Sequence, residues 1–279
     1  MPTIQQLQLI AARKEKGRTK RLKNPPKWLF PSTAEREYTK ELYQLTNELK
    51  KLIKEILIPQ LPSLFVEVEI KTSDSVKNDD FLDRLKAIIL TISQAIEPKV
   101  KETIFESKKI GVDIARYNQT QYQKTVKSVF GIDIFENEPW LVDQLKLFSS
   151  QNAQLIKSLP SQELEQVSQA IERGLQEGSP IKDIERELIQ RFGITQRRAK
   201  LIARDQTSKL NASLTKLRQE QLGVEEYLWQ TAGDERVRPT HKANDGKKFK
   251  WSNPPPTGHP GTAVNCRCVA IPVLEGILE

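Results

Sequence analysis

The sequence predicts a mainly α-helical protein: an elongated helical N-terminal region, further helices behind it, and a small C-terminal β-containing (α+β) unit. Three observations lead there. Apolar residues recur at spacings of three and four from Tyr38 to Ile56, as on a helix with one buried face. Serine, proline and glycine punctuation then marks off helical stretches up to Leu222. After Gly223 the pattern changes to short alternating segments broken by Asn244-Asp245-Gly246, by Pro254, Pro255 and Pro256, and by Gly258 and Gly261.

Residues 1–31 read as an irregular arm ending in Asn24-Pro25-Pro26 and Pro31. Ser32-Thr33-Ala34-Glu35 fits a capping box, in which the serine caps a backbone donor and the glutamate reaches back. The stripe Tyr38, Leu42, Leu45, Leu49, Leu52 or Ile53, and Ile56 follows, and Pro59 and Pro62 are expected to end that helix. Residues 64–70 alternate like a strand. Asp79 or Asp80 would cap a second long helix over about 81–129, kinked or split at Pro98. Residues 131–141 read as a loop anchored by Trp140. Helices over about 140–157, 161–176 and 180–191 are expected to be separated at Pro160 and at Gly178-Ser179-Pro180, with Gly193 closing the third. Thr195 would cap the next, which runs to about Leu222. Strands are expected over 224–231, 248–251 and 267–273, with a tight turn at Asn244-Asp245-Gly246 and a core of Trp229, Phe249 and Trp251. The chain thus reads as a basic arm (1–31), a long-helix region (32–130), a helical segment (131–223) and a small β-rich unit (224–279). No internal repeat is evident.

Composition narrows the function classes. No run of 18 apolar residues exists, so no transmembrane helix is expected. The apolar stretch 7–12 is too short for a secretory leader and runs straight into basic residues. Two cysteines in 279 residues do not make a disulfide scaffold, and a reducing setting is expected. The net charge of +8 is concentrated near the start. Arg13, Lys14, Lys16, Arg18, Lys20, Arg21, Lys23 and Lys27 stand against one acidic residue, Glu15. Such an arm either contacts a polyanion, double-stranded DNA above all, or an acidic protein surface, or it is a solvated leader that keeps the chain soluble. Arg197, Arg198, Lys200 and Arg204 form a second basic row, which reads as a solvated helix face or as phosphate or partner contacts.

Both histidines and both cysteines fall in one 28-residue window, His241 to Cys268, with His259 and Cys266 between. Three readings of it stand side by side. Thiolates and imidazoles are preferred zinc ligands, so His241, His259, Cys266 and Cys268 could close one structural zinc site, with Asp234 as a substitute ligand. Alternatively Asp234 pairs with Arg236, Arg238 or Arg267, His241 bonds a buried carbonyl, and the cysteines pack as small apolar residues. In the third reading Asp234, His241 and His259 hold a divalent ion or act as base and acid on a phosphodiester, as in a metal-dependent nuclease or toxin-like enzyme. No HNH, P-loop or HExxH signature accompanies them. A Cys266–Cys268 disulfide is not expected, because one intervening residue strains the bridge.

The order of motifs carries a resemblance. Gly178-Ser179-Pro180, Phe192-Gly193-Ile194-Thr195, Arg198 through Arg204-Asp205, Trp229, Asp234, Arg236, Arg238, His241, Asp245-Gly246 and Asn265-Cys266-Arg267-Cys268 follow one another over about residues 130–275. In this the chain resembles the phage Mu protein F-like minor head proteins, also called phage head morphogenesis proteins. The resemblance implies a structural role in the virion of a tailed phage, assembled in the bacterial host cytoplasm. It also implies partners: the portal protein, other prohead proteins and, for some members, DNA.

Overall fold

The computed structural model describes residues 28–69, 77–130 and 138–274. The eight basic residues of the arm and most of the expected loop over 131–141 lie outside the described residues.

The predicted stripe organises the first helical run. α1 spans Ser32–Leu52. Tyr38, Leu42, Leu45 and Leu49 are buried along it, and Ile53, Leu57, Leu61 and Leu64 continue the line. Four successive steps of four residues, from Leu45 to Leu61, overshoot a 3.6-residue turn by about 40° each. The helix widens to a π-helical turn at Ile53–Leu57, tightens to a 3₁₀ turn at Ile58–Gln60, and resumes as α2, Leu61–Glu69. Pro59 and Pro62 therefore do not end the helical run. Each sits at the start of a new segment, where a missing N–H is tolerated. The strand expected over 64–70 is α2 instead. Leu64 and Phe65 are both buried, extending the helical stripe. The capping box is modified too: the Pro31 carbonyl takes the first helical bond, from the Glu35 N–H at 3.1 Å, and the Glu35 carboxylate accepts from Arg204 Nε at 2.8 Å.

α3 spans Lys77–Phe130, α4 Leu141–Gln176 and α5 Ile181–Gln221. Sequence punctuation predicted breaks at Pro160 and Gly193 and a kink or split at Pro98, and the helices run unsplit through all three. The reason is the same each time: the buried stripe does not lose phase. In α4 Ile156, Leu159, Leu164, Val167 and Ile171 are buried on both sides of Pro160. In α5 Ile184, Leu188, Phe192, Ala199 and Ile202 are buried on both sides of Gly193. Such burial, at about 1.5–3 kcal/mol per large side chain, outweighs a proline's cost of about 3 kcal/mol and a glycine's of about 1. The break at Gly178-Ser179-Pro180 does occur. Gly178 adopts φ +65° and the Ser179 N–H reaches back to the Gly174 carbonyl at 2.8 Å, a Schellman stop. Gly223 (φ +75°) ends α5 in the same way, with the Val224 N–H on the Gln219 carbonyl at 2.9 Å. No described helix is long and apolar enough to cross a membrane.

The described chain divides into two compact units, each drawn from separated segments. One uses residues 37–108 and 149–203. There the Tyr38 hydroxyl donates to Asn152 Oδ1, and burial pushes its pKa up. Arg198 donates to Ser158 Oγ at 2.9 Å, and Gln196 Nε2 to Asn47 Oδ1 at 2.9 Å. The basic row is thus divided: Arg198 ties α5 to α4, while Arg197 and Lys200 are exposed.

The other unit draws on residues 1–36, 109–148 and 204–279, of which the described parts hold the sheet. β1 (Glu226–Gln230) pairs antiparallel with β2 (Lys248–Lys250) and with β3 (Val269–Pro272), in the order β2-β1-β3. The register sets Tyr227 against Phe249 and against Pro272, and Trp229 against Ala270. Each face of the sheet has a core. Trp28, Tyr122, Val126, Leu222, Val224, Val269 and Leu274 form one cluster; Tyr227, Trp229, Trp251, Cys266, Cys268 and Ala270 form the other. The structure is therefore mainly α with a small antiparallel β unit, as the sequence predicts.

Between α3 and α5 lies a buried polar spine. Arg218 is fully buried, and its Nε and Nη2 donate to the two carboxylate oxygens of Glu138 at 2.6 and 2.7 Å. Its Nη1 donates to Asn118 Oδ1, whose amide donates in turn to Asn211 Oδ1 at 2.9 Å and Thr215 Oγ1 at 2.7 Å. The Arg218 carbonyl accepts from the Tyr122 hydroxyl at 2.8 Å. Breaking a buried pair by removing one partner strands the other charge, at a cost of about 3–5 kcal/mol. Glu138→Ala is expected to lower the free energy of denaturant unfolding by that amount. Arg218→Met combined with Glu138→Leu should cost less than either single change, read as the coupling in a double-mutant cycle; equal additive losses would contradict the assignment.

Candidate metal centre and arginine-lined pocket

The cysteine loop is positioned by α5. Gly261 adopts φ +82°, and a Cβ there would lie 2.7 Å from the Ala212 Cβ and 3.3 Å from the Ser208 carbonyl. The loop can approach the helix this closely only with glycine at that position. Ser208 Oγ donates to the Cys266 carbonyl. Asn265 is the one non-glycine residue with positive φ (63°) among the described residues. Its N–H reaches Asp205 Oδ1 at 3.3 Å and its Oδ1 accepts from Arg204 Nη1 at 3.1 Å. Asparagine tolerates the left-handed region better than most residues. This turn sends the chain through Cys266 and Cys268 into β3.

His241 arrives from the other side of β1. Pro239 opens a short helix, α6 (Pro239–Lys242), of which His241 is the buried residue. Its ring stands edge-on to Trp229, centroids 5.3 Å apart. Its Nδ1 lies 3.4 Å from Cys266 Sγ and 3.6 Å from Cys268 Sγ. One ring nitrogen facing two sulfurs cannot satisfy both with a single hydrogen bond, but one tetrahedral ion can. With zinc bonds of about 2.3 Å to sulfur and 2.0–2.1 Å to nitrogen, a tetrahedron places N and S about 3.6 Å apart. The three ligand atoms all lie within 4.8 Å of one another.

One of the two sulfurs is set up to carry negative charge. The Cys266 thiol is pushed down to about 5, chiefly by its hydrogen bond with Cys268, with help from the backbone N–H groups of Cys268 and Gly261 and from His241. Cys268 moves up, because Cys266 and burial oppose a second thiolate; the Trp229 indole and the Ala232 backbone work against that rise. Both sulfurs are free of disulfide bonding. A cation between them would remove the opposition and let both ionise.

The structure does not bring all the predicted residues together. His259 Nδ1 pairs with the Tyr227 hydroxyl at 2.9 Å, and its ring lies against Trp251 with centroids 4.9 Å apart. Asp234 pairs through Oδ2 with Arg267 and through Oδ1 with the Arg236 N–H at 3.2 Å. Of the partners proposed for Asp234 from sequence, Arg267 is thus the one whose side chain it holds. Arg238 Nη2 donates to the Val264 carbonyl at 2.7 Å. Asp245 Oδ1 accepts from the Thr231 N–H at 2.7 Å, and Gly246 takes φ +73°, the turn its sequence announces. Ser208 and Ala212 escaped the sequence reading; Gly261 was read only as loop punctuation, and an isolated glycine there is the one sequence hint of a close approach.

Around the three ligands is a pocket of about 130 Å³, lined also by Arg204, Asp234, Arg236, Arg238 and Arg267. It gathers nearly every polar motif residue of the C-terminal segment, and comparison with known proteins matches that segment. Residues 165–271 match the family described as Phage Mu protein F like protein. The matched region takes in the last third of α4, all of α5 and the β unit as far as Ile271 in β3. A protein of Haemophilus influenzae (strain Rd), described as uncharacterized, is 41% identical over 162 residues, covering 57% of this chain and 36% of that protein. The alignment thus spans about a third of that relative's length. No solved structure matches.

The His259 environment makes a pH prediction. Burial and the charge of Lys216 hold its pKa below the usual 6.5. The unfolded chain then binds the proton more readily than the folded chain, so stability falls as pH drops through about 6.5 and levels off below the folded value. In His259→Gln this contribution is absent. The gap in melting temperature between the two proteins should narrow from pH 7.5 to about pH 5; parallel curves would refute the placement.

Proposed function

We propose that the protein is a minor head protein of a tailed bacteriophage, acting in head assembly in association with the portal vertex. The observation that carries this reading is the family match over residues 165–271, which coincides with the segment that builds the pocket and its ligands. The centre is read as structural. His241 converges with the two cysteines, whereas Asp234 and His259, which the catalytic reading needs beside it, are bonded to Arg267 and Tyr227. When the protein is expressed with the other head proteins, it is expected to copurify with portal-containing proheads. Its absence from such particles would overturn the assembly role.

The same proposal makes the His241, Cys266 and Cys268 cluster a zinc clasp. Two thiolates and an imidazole favour zinc over hard cations. The clasp joins the loop after β1 to the entry of β3, linking His241 and Cys266 across a sequence separation of 25. Full-length protein prepared in zinc-replete, reducing buffer is expected to hold one zinc per chain by mass spectrometry. Cys268→Ser and His241→Ala should each abolish stoichiometric zinc and lower the melting temperature by several degrees. A chelator should do the same to the unaltered protein and nothing further to the variants. Zinc-free protein with an unchanged melting temperature would rule the clasp out.

A further inference from the structure

A structural zinc is closed by four protein ligands, but three converge here. Among the described residues, no fourth histidine, cysteine or carboxylate joins them. His259 and Asp234, the sequence candidates, are engaged elsewhere. The same three ligands line the pocket, so the remaining coordination direction has solvent access. The pocket's volume of about 130 Å³ is roughly ten times the 10–15 Å³ that one water needs. That is room for a tetrahedral oxyanion.

The charge of the lining points to what enters. Arg204, Arg236, Arg238 and Arg267 face one carboxylate, Asp234. Glu35, bonded to Arg204, neutralises a further charge. A dication with two thiolates adds no net charge. The lining therefore keeps a surplus of two positive charges, close to the roughly −1.5 to −2 of a phosphate monoester near pH 7. The arginines are also differently committed. Arg204 and Arg267 are fixed by carboxylates, and Arg238 has one nitrogen on the Val264 carbonyl. Arg236 is exposed, and among the described residues its guanidinium has no partner. Buried zinc ligands at the base and a free guanidinium at the rim form a graded anion site, since planar guanidinium groups pair with phosphate oxygens.

We infer that the metal centre keeps its fourth position open to this pocket and there takes a phosphate-type oxyanion, held at the rim by Arg236 and Arg238. One phosphate oxygen replaces a metal-bound water; no covalent bond to the protein forms or breaks. The inference rests on the zinc reading above. The phosphate is either inorganic phosphate or the terminal phosphate of a nucleic-acid strand, two sources of one chemistry.

Cobalt(II) substitution of the full chain tests it. Thiolate-to-cobalt absorption reports whether the ion is bound, and the d–d bands report the fourth ligand. Millimolar inorganic phosphate is expected to shift the d–d bands while the thiolate bands persist. Arg236→Ala and Arg238→Ala should each weaken that response about tenfold with the metal content unchanged. A short 5′-phosphorylated oligonucleotide that competes with phosphate, when its unphosphorylated counterpart does not, assigns the source to a strand end. Failure of both oligonucleotides to compete assigns it to the free ion. A protein with one bound ion whose spectrum ignores phosphate overturns the inference and leaves the zinc clasp standing. A protein that binds no ion overturns both.

Discussion

The unit that carries the pocket depends on one buried guanidinium. Arg218 has no access to water, and its charge is balanced by the two oxygens of Glu138 and the amide oxygen of Asn118. An ion in this environment is tolerated only if every donor finds an acceptor in good geometry. That requirement fixes α3, α5 and the start of the segment leading into α4 to one arrangement. The next residue, Gln219, carries the constraint into the sheet. Its amide donates to the Ala270 carbonyl at 2.9 Å, and its carbonyl oxygen accepts from the Trp251 indole at 3.1 Å. Apolar packing alone would accept several slightly shifted registers; a fully matched polar spine does not.

α5 then acts as a ruler. Arg204, Asp205, Ser208 and Ala212 meet the cysteine loop, while Asn211, Thr215 and Arg218 meet α3, all within about four turns of helix. The cysteines therefore stand where the buried spine places them. His241 reaches them from a short helix resting on Trp229, so strand β1 positions the third ligand. The centre is assembled from one rigid helix, one strand and two loops, and three of its ligands' neighbours are backbone N–H groups or ring edges that no exchange of surface residues would disturb.

Much of this was legible in the sequence, and the failures have a common cause. Periodicity located the buried stripe from Tyr38 onward, and the three strands fall where alternation and turn residues place them. The window from His241 to Cys268 was visible as the place for soft ligands. What misled was punctuation taken as decisive. Pro160 and Gly193 carry local costs of about 1–3 kcal/mol, and a stripe that stays in phase over many buried side chains exceeds them. The strand read over 64–70 failed similarly, because alternation of valine and glutamate weighed less than Leu64 and Phe65 extending the helical face. At the site, residue type alone could not separate His241 from His259. Which histidine meets the sulfurs is decided by its neighbours on β1, Trp229 for one and Tyr227 for the other.

The discontinuity of the sheet-bearing unit has a consequence for synthesis. Trp28 is among the first described residues to leave the ribosome. It packs in a cluster with Leu222, Val224, Val269 and Leu274, its indole donates to Thr125, and its carbonyl accepts from Gln230. The cluster's C-terminal members are made roughly 190 to 250 residues after Trp28, which at roughly 5–20 residues per second is a delay on the order of tens of seconds. During that interval Trp28 has only its α3 partners, Tyr122, Thr125 and Val126, to pack against. This unit is completed only after β3 is made, so a copy terminated before β3 leaves Trp28 without Val269 and Leu274 to cover it.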